Sequence, residues 1–156
     1  MKKLLGLMLF GWLALAVQAQ YVVLTPASAG AEDAATLIFD ASEGNGELAG
    51  ASKVYMHHGV VTDSPTGTAW QYVVGNWGQD DGVGEMTPVA GQPDKWQLTF
   101  SPSIREYFGV PEGVNIFRIS GVFRSADGST KRHGSPRQLR LGHGSLQSGY
   151  LYQLGR

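Results

Sequence analysis

The chain has 156 residues, no cysteine, 22 glycines and a charged fraction of 16%. The lack of cysteine excludes disulfide bonds and thiolate zinc sites, so the fold must rest on its core. The abundant glycine and low charge favour short strands separated by glycine-bearing turns over long surface helices. A formal net charge of −1 gives no basic excess and argues against nucleic acid as a partner.

Residues 1–19 have the features of a cleavable signal peptide. Two lysines precede an uncharged apolar run over residues 4–17, which ends at the cleavage-like triplet VQA. The run is shorter than the roughly 20 apolar residues of a spanning helix, which favours cleavage after Ala19 over an uncleaved membrane anchor. We therefore predict a secreted or cell-surface protein with no membrane association after cleavage. The mature chain keeps ten basic and 13 acidic residues, a net charge of about −3.

Residues 20–136 form one predicted domain built of short strands. β-Branched and aromatic segments separated by turn signals predict strands at residues 21–25, 36–41, 53–62, 70–77, 95–100 and 115–125. Ser101 as a cap and Pro102 in the first turn predict a single helical turn over residues 101–107. Asp127-Gly128 predicts a hairpin turn. This pattern of short strands is typical of an all-β fold, specifically a β-sandwich.

Two of the strands alternate clearly. Trp96 shares a face with Leu98 and Phe100, which predicts a core position for this tryptophan. In the last strand the apolar side chains fall on one face, while Arg118 and Arg124 fall on the other.

Residues 137–156 differ in character from the rest of the chain. No Asp or Glu occurs from Gly128 to the end, and residues 137–141 bring basic side chains without acids. Removing one base near Pro136 from a permitted codon assignment gives PGNYDWGTVASKAGIYIN, which restores acidic and alternating residues, so a frameshift is one hypothesis. The other is a genuine tail in which residues 150–154 supply the last strand.

No motif for catalysis or for a metal centre is found. The serines lack a G-x-S-x-G elbow, and the carboxylates Asp80, Asp81 and Glu85 share one glycine-rich loop instead of facing each other across a cleft. His57 and His58 are adjacent, so on a strand they point to opposite faces and cannot easily hold one metal. The loop at residues 79–82 lacks the spacing of a calcium site and is read as a solvated turn. We predict no catalytic residues, no metal and no cofactor.

Aromatic residues give the stronger functional signal. Flat rings stack on the apolar faces of sugars, and Trp70, Tyr72 and Trp77 lie along one predicted strand and its ends. Tyr55 and His57 share a face of the preceding strand. Tyr72 shares its face with Trp70, so one of these two rings could instead belong to the core. A tryptophan packed beneath a loop would fit Trp77 equally well, so that alternative stays open.

A family resemblance rests on three segments: TLIFDASEGNGELAG (residues 36–50), KVYMHHGVVTDSPTGTAWQYVVGNWGQDDGVGEMTPVAGQPDKWQLTF (residues 53–100) and YFGVPEGVNIFRISGVFRSADGS (residues 107–129). They resemble the N-terminal immunoglobulin-like module of large secreted bacterial proteins. They are similar to the starch-binding modules attached to exported amylases. The resemblance covers most of residues 21–136 and departs from the family in the tail, where the family's closing strand ends much like GIYIN.

The resemblance implies an immunoglobulin-like β-sandwich that binds carbohydrate, with an α-glucan as the expected ligand, and that has no catalytic residues. It carries over only a flat aromatic binding surface formed by Trp70 and Trp77, with Tyr55 and His57 as polar neighbours. We expect a monomeric module. If the tail is a frameshift, the chain is the truncated leading module of a larger protein whose later domains are lost. The alternative function is a structural or adhesive spacer without a small-molecule ligand, which predicts that both tryptophans are buried.

Overall fold

A computed structural model describes residues 21–131 and the backbone of residues 137–140. The elements in chain order are β1 (Val22–Thr25), β2 (Ala35–Asp40), β3 (Tyr55–Val61), β4 (Gln71–Val74), β5 (Thr87–Pro88), β6 (Lys95–Phe100), α1 (Ile104–Phe108), β7 (Arg118–Arg124) and β8 (Arg137–Arg140). No helix of these described residues is long and apolar enough to cross a membrane.

The strands form two antiparallel sheets of four strands each. The first sheet has the order β1-β2-β6-β5 and the second has the order β4-β3-β7-β8. The predicted all-β sandwich is therefore confirmed. The two-residue strand β5, which pairs with Trp96 and Gln97 of β6, was missed because it is too short to show a period in the sequence.

The core lies between the two sheets. Phe39 of β2 and Phe123 of β7 stack across it, with ring centroids 3.9 Å apart. Leu37, Met56 and Ile119 are buried beside them, as alternation along a half-buried strand requires. Trp96 also belongs to this core, so its predicted position is confirmed.

The helical turn is real but begins later than predicted. Ser103, not Ser101, is the N-cap, and its hydroxyl accepts a hydrogen bond from the Glu106 amide. The helix ends at Phe108, and its C-cap Gly109 has the left-handed conformation. Ser101 and Pro102 precede the cap, so the predicted cap was wrong by two residues.

The predicted hairpin turn after β7 is confirmed. The Gly128 amide donates to the Ser125 carbonyl at 3.1 Å, and Arg124 pairs with Lys131 across the turn. Asp127 accepts hydrogen bonds from the hydroxyls of Ser125 and Ser129, and these bonds lower its pKa to about 2. The predicted last strand at residues 150–154 lies outside the described residues. The backbone of β8 pairs with β7 in the same sheet.

Candidate functional site

A β-bulge shapes the edge strand of the second sheet. The register of β4 on β3 shifts between His58 and Val60, so that Tyr72 and Val73 together oppose Gly59. Tyr72 accordingly has a φ of 51°, which is uncommon for a residue other than glycine. Such bulges redirect side chains, and they are common beside functional sites. The strand predicted over residues 70–77 is therefore interrupted and ends at Val74.

Gly59 allows the bulged strand to approach closely. A Cβ added there would lie 2.8 Å from the Gln71 carbonyl oxygen and 3.4 Å from the Cβ of Trp70. The first distance is shorter than real side chains tolerate, so a larger residue would push β4 away. The glycine thus lets Trp70 lie over the outer face of β3.

Three rings meet on that outer face, and we call them the aromatic platform: His57, Trp70 and Trp77. The imidazole centroid of His57 is 6.2 Å from the Trp70 ring and 5.7 Å from the Trp77 ring, with an edge-on arrangement at Trp77. The Nδ1 atom of His57 is covered and has no hydrogen-bond partner among the described residues. His57 therefore joins the two indoles mainly by ring packing.

Trp77 is the most exposed ring of the platform. Its exposed fraction is 45%, whereas Trp70 is half-buried. A Cβ added at Gly128 would lie only 3.3 Å from Trp77 Nε1, so the indole rests against the turn after β7. Lys131 Nζ lies 5.6 Å from the ring centroid, within the range of a cation–π contact. One part of the indole is thus fixed by the protein, while nearly half of its surface faces solvent.

The loop that carries Trp77, residues 75–85, has its own internal bonds. Asn76 Nδ2 donates to Asp81 at 2.7 Å, and the Val83 amide donates to the same carboxylate at 3.0 Å. These bonds stabilise the charged form and hold the pKa of Asp81 below its usual value. The loop therefore has a defined shape, which the sequence alone did not indicate.

Tyr55 lies beneath this loop, not on the surface. It is fully buried, and its hydroxyl donates to Asp80 Oδ1 at 2.5 Å while lying 2.9 Å from Glu85 Oε2. Lys53 Nζ lies 2.8 Å from the same Asp80 oxygen, and the hydrogen bonds from Lys53 and then Tyr55 hold the pKa of Asp80 below its usual value. The predicted role of Tyr55 as a ligand neighbour is therefore corrected, because its buried ring supports the loop and does not reach solvent.

Tyr72 also differs from its predicted arrangement. Its ring is exposed, but within residues 21–131 no ring contact joins it to His57, Trp70 or Trp77. The bulge places it at a position where the simple alternation of a strand no longer predicts its direction. The structure thus brings together three of the five candidate residues.

Lys131 was not anticipated as a neighbour of the platform. The Asp127-Gly128 turn signal could have found it, because a hairpin places Lys131 beside the end of β7. In the described part of the chain, no three His, Asp or Glu side chains are grouped so that they could hold a metal ion.

A family model described as "Domain of unknown function (DUF8578)" matches residues 22–131. The chain belongs to this family. The matched segment of the DUF8578 domain runs from the start of β1 to Lys131, so it includes every side chain of the aromatic platform. No curated protein matches the chain.

Proposed function

We propose that the chain is an exported, non-catalytic carbohydrate-binding module whose ligand is a glucan that stacks on Trp77. The resemblance to starch-binding modules supports an α-glucan as the ligand and an immunoglobulin-like topology for the sandwich. The ligand chain lies across an open surface, with the aromatic platform as its contact area.

The partial exposure of Trp77 is the observation that carries this proposal. A tryptophan buries a large apolar area when it is packed, so leaving 45% of it in water forgoes much of that stabilisation. The ring is nevertheless held by His57 and by the turn at Gly128. A flat ring that is fixed and open to solvent suits stacking on the apolar face of a sugar.

Polar groups around the ring fit the hydroxyls of a sugar. Asn76 and Gln79 are exposed on the same loop, and the Lys131 ammonium lies next to the indole. Amide and ammonium groups donate hydrogen bonds to hydroxyl oxygens, and the amides also accept them. The combination of a flat apolar surface and a polar rim is common in binding sites with fixed ligand orientation.

Affinity electrophoresis of the mature chain in gels containing soluble starch tests the proposal. We expect the wild-type protein to be retarded and Trp77→Ala to lose at least about tenfold in affinity, because anchor aromatics dominate binding energy. Val23→Ala is the matched control, since Val23 is similarly exposed but lies on the first sheet.

Two results would contradict the proposal. One is unretarded migration of the wild-type protein in starch and in other glucans. The other is equal retardation of the wild type and Trp77→Ala. If Trp77→Ala lowers the melting temperature without changing the retardation, the spacer alternative is favoured, in which Trp77 only packs beneath its loop.

A further inference from the structure

Arg124 is a fully buried cation at the end of β7. It lies opposite Tyr55 in the pairing of β3 with β7. No carboxylate lies within salt-bridge distance of it in residues 21–131. The charge of Arg124 helps to lower the pKa values of Asp80 and Asp81, but neither carboxylate makes an ion pair with it. A buried charge without an ion pair is costly and requires compensation by other polar groups. The surroundings of the guanidinium therefore indicate what this residue holds in place.

Four backbone carbonyls supply that compensation. Nη2 donates to the carbonyl oxygens of Asn76 at 2.7 Å and Gln79 at 3.0 Å. Nη1 donates to the carbonyl oxygens of Ser125 at 2.9 Å and Ala126 at 2.7 Å. Hydrogen bonds from a charged donor are about twice as strong as neutral ones. One side chain thus fastens two separate segments of the backbone.

Both segments border Trp77. The carbonyls of Asn76 and Gln79 belong to the loop on either side of the tryptophan, and those of Ser125 and Ala126 begin the turn on which its indole rests. The guanidinium also lies over the Tyr55 ring, with its carbon 4.5 Å from the ring centroid. The hydroxyl of that ring bonds Asp80, which is a second attachment of the same loop.

We propose that Arg124 is the positioning residue of the aromatic platform, holding the Trp77 loop and the 125–130 turn together so that the indole is fixed in its binding orientation before a ligand arrives. This inference rests on the proposed function for its consequence in binding, but the fixing of Trp77 can be measured without any ligand. Preorganisation of this kind raises affinity because the ordering entropy is not lost on binding.

The planar guanidinium is essential to this role. Its two Nη atoms point at two different segments, whereas a lysine ammonium is a single point charge on a flexible stem. Arg124→Lys keeps the charge but cannot reproduce four bonds in two directions. We therefore expect the loop and the turn to separate in this variant even though the strand pairing of β7 is retained.

The test compares Arg124→Lys with Arg118→Lys in the mature chain. Arg118 is the matched control because it is equally buried on the same strand, and its Nη1 bonds the Pro65 carbonyl, outside both the loop and the turn at Trp77. Labelling with ¹⁵N-tryptophan gives three indole signals, from Trp70, Trp77 and Trp96, with Trp77→Phe providing the assignment.

In Arg124→Lys, we expect the Trp77 indole signal to shift or broaden and its hydrogen exchange to accelerate at least fivefold, while the Trp96 signal stays in place. Retardation in starch should fall at least tenfold. In Arg118→Lys, the Trp77 signal and the retardation should match those of the wild type. An unchanged Trp77 signal in Arg124→Lys, or equal changes in both variants, would overturn the proposal. If the wild-type protein shows no retardation, the proposed function fails, and the Trp77 signal still decides the role of Arg124.

A second measurement needs no substitution and applies if Arg124→Lys does not fold. The guanidinium protons of Arg124 in the wild-type protein should give separate, slowly exchanging NMR signals, since all four bonds restrict rotation of the group. Averaged, rapidly exchanging signals would show that the guanidinium does not hold the two segments, and would overturn the proposal.

Discussion

The outer faces of the two sheets differ in how they are covered. In the first sheet, burial alternates with a period of two along β1 and β2, and side chains such as Val23 and Thr36 face outward. In the second sheet, β3 and β7 are buried on nearly every residue, including polar ones such as Arg124. The second sheet therefore carries an additional layer of structure on its outer face.

At the end of the sheet near Trp77, that layer consists of the 75–85 loop and the 125–130 turn, which explains why Tyr55 and Arg124 are buried there. At the other end of β7, the buried Arg118 bonds the Pro65 carbonyl instead. Buried polar groups need hydrogen-bond partners, and the loop and turn supply them as backbone carbonyls and carboxylates. The first sheet has no comparable requirement, because the outward side chains of β1 and β2 are at least partly exposed. The comparison teaches that the candidate site lies where the sandwich is reinforced by a third layer.

A substitution in the shared core should have the largest effect on stability and should affect both sheets. We expect Phe39→Ala to lower the free energy of unfolding by about 3–5 kcal/mol, because it removes the stack with Phe123 and leaves a cavity. Urea denaturation measures this loss. Val23→Ala on the exposed face of β1 should change it by less than about 0.5 kcal/mol, and equal losses in both variants would contradict the assignment of the core.

The buried His58 on the core face of β3 should make stability depend on pH. His58 is buried against aromatic rings, with Nδ1 donating to the Met56 carbonyl at 2.7 Å and Nε2 accepting from Tyr107 at 2.9 Å. Burial lowers the pKa of His58 to about 4, so the folded protein keeps it neutral where the unfolded chain binds a proton. Stability should therefore fall as pH decreases from about 6.5 towards 4 and level off below that pKa.

We expect proton binding by His58 in the unfolded chain to lower the free energy of unfolding by roughly 2–3 kcal/mol between pH 7 and pH 4.5. Urea titrations at a series of pH values measure it. His58→Gln should flatten the dependence, whereas His57→Gln is the matched control because it leaves the buried imidazole in place. If His58→Gln shows the same dependence of the free energy of unfolding on pH as the wild type, the assignment of that dependence to a buried, neutral His58 is wrong.

Loss of the loop's attachment should have a smaller effect that is confined to the second sheet. Tyr55→Phe keeps the ring beneath Arg124 but removes the hydroxyl that bonds Asp80. We expect a loss of about 1.5–2 kcal/mol in stability, the low end of the range for a hydrogen bond to a charged group, because the Asp80 carboxylate is half exposed to water. Faster amide hydrogen exchange in residues 76–85 should accompany it.

Thr36→Val is the matched polar deletion on the outer face of the first sheet. Its hydroxyl lies 3.2 Å from that of Thr99 at an exposed position, so water replaces the lost bond. We expect a change within about 0.5 kcal/mol and no change in exchange elsewhere. A loss as large as that of Tyr55→Phe would remove the distinction between the two outer faces.

The candidate site could be predicted only in part from the sequence. The sequence indicated Trp70, Trp77 and His57 as aromatic candidates on neighbouring strands. Their meeting on one face depends on the bulge in β4 and on the loop after it, since strand alternation would place positions 70 and 77 on opposite faces. The burial of Tyr55 and the separate position of Tyr72 did not, because a loop folded over a sheet and a β-bulge both override the period of two.

The sequence by itself determined the all-β fold, the alternation of β6, the core position of Trp96 and the turn at Asp127-Gly128. These depend on local periodicity and turn chemistry, which are encoded within a few residues. Only the tertiary structure decided that Arg124, on the apparently outward face of β7, is buried and bonded to two distant segments. The physical reason is that the sequence shows a polar residue at an outward strand position whether that position is exposed or covered. Whether water or backbone carbonyls accept the hydrogen bonds of its side chain depends on which loop folds over it.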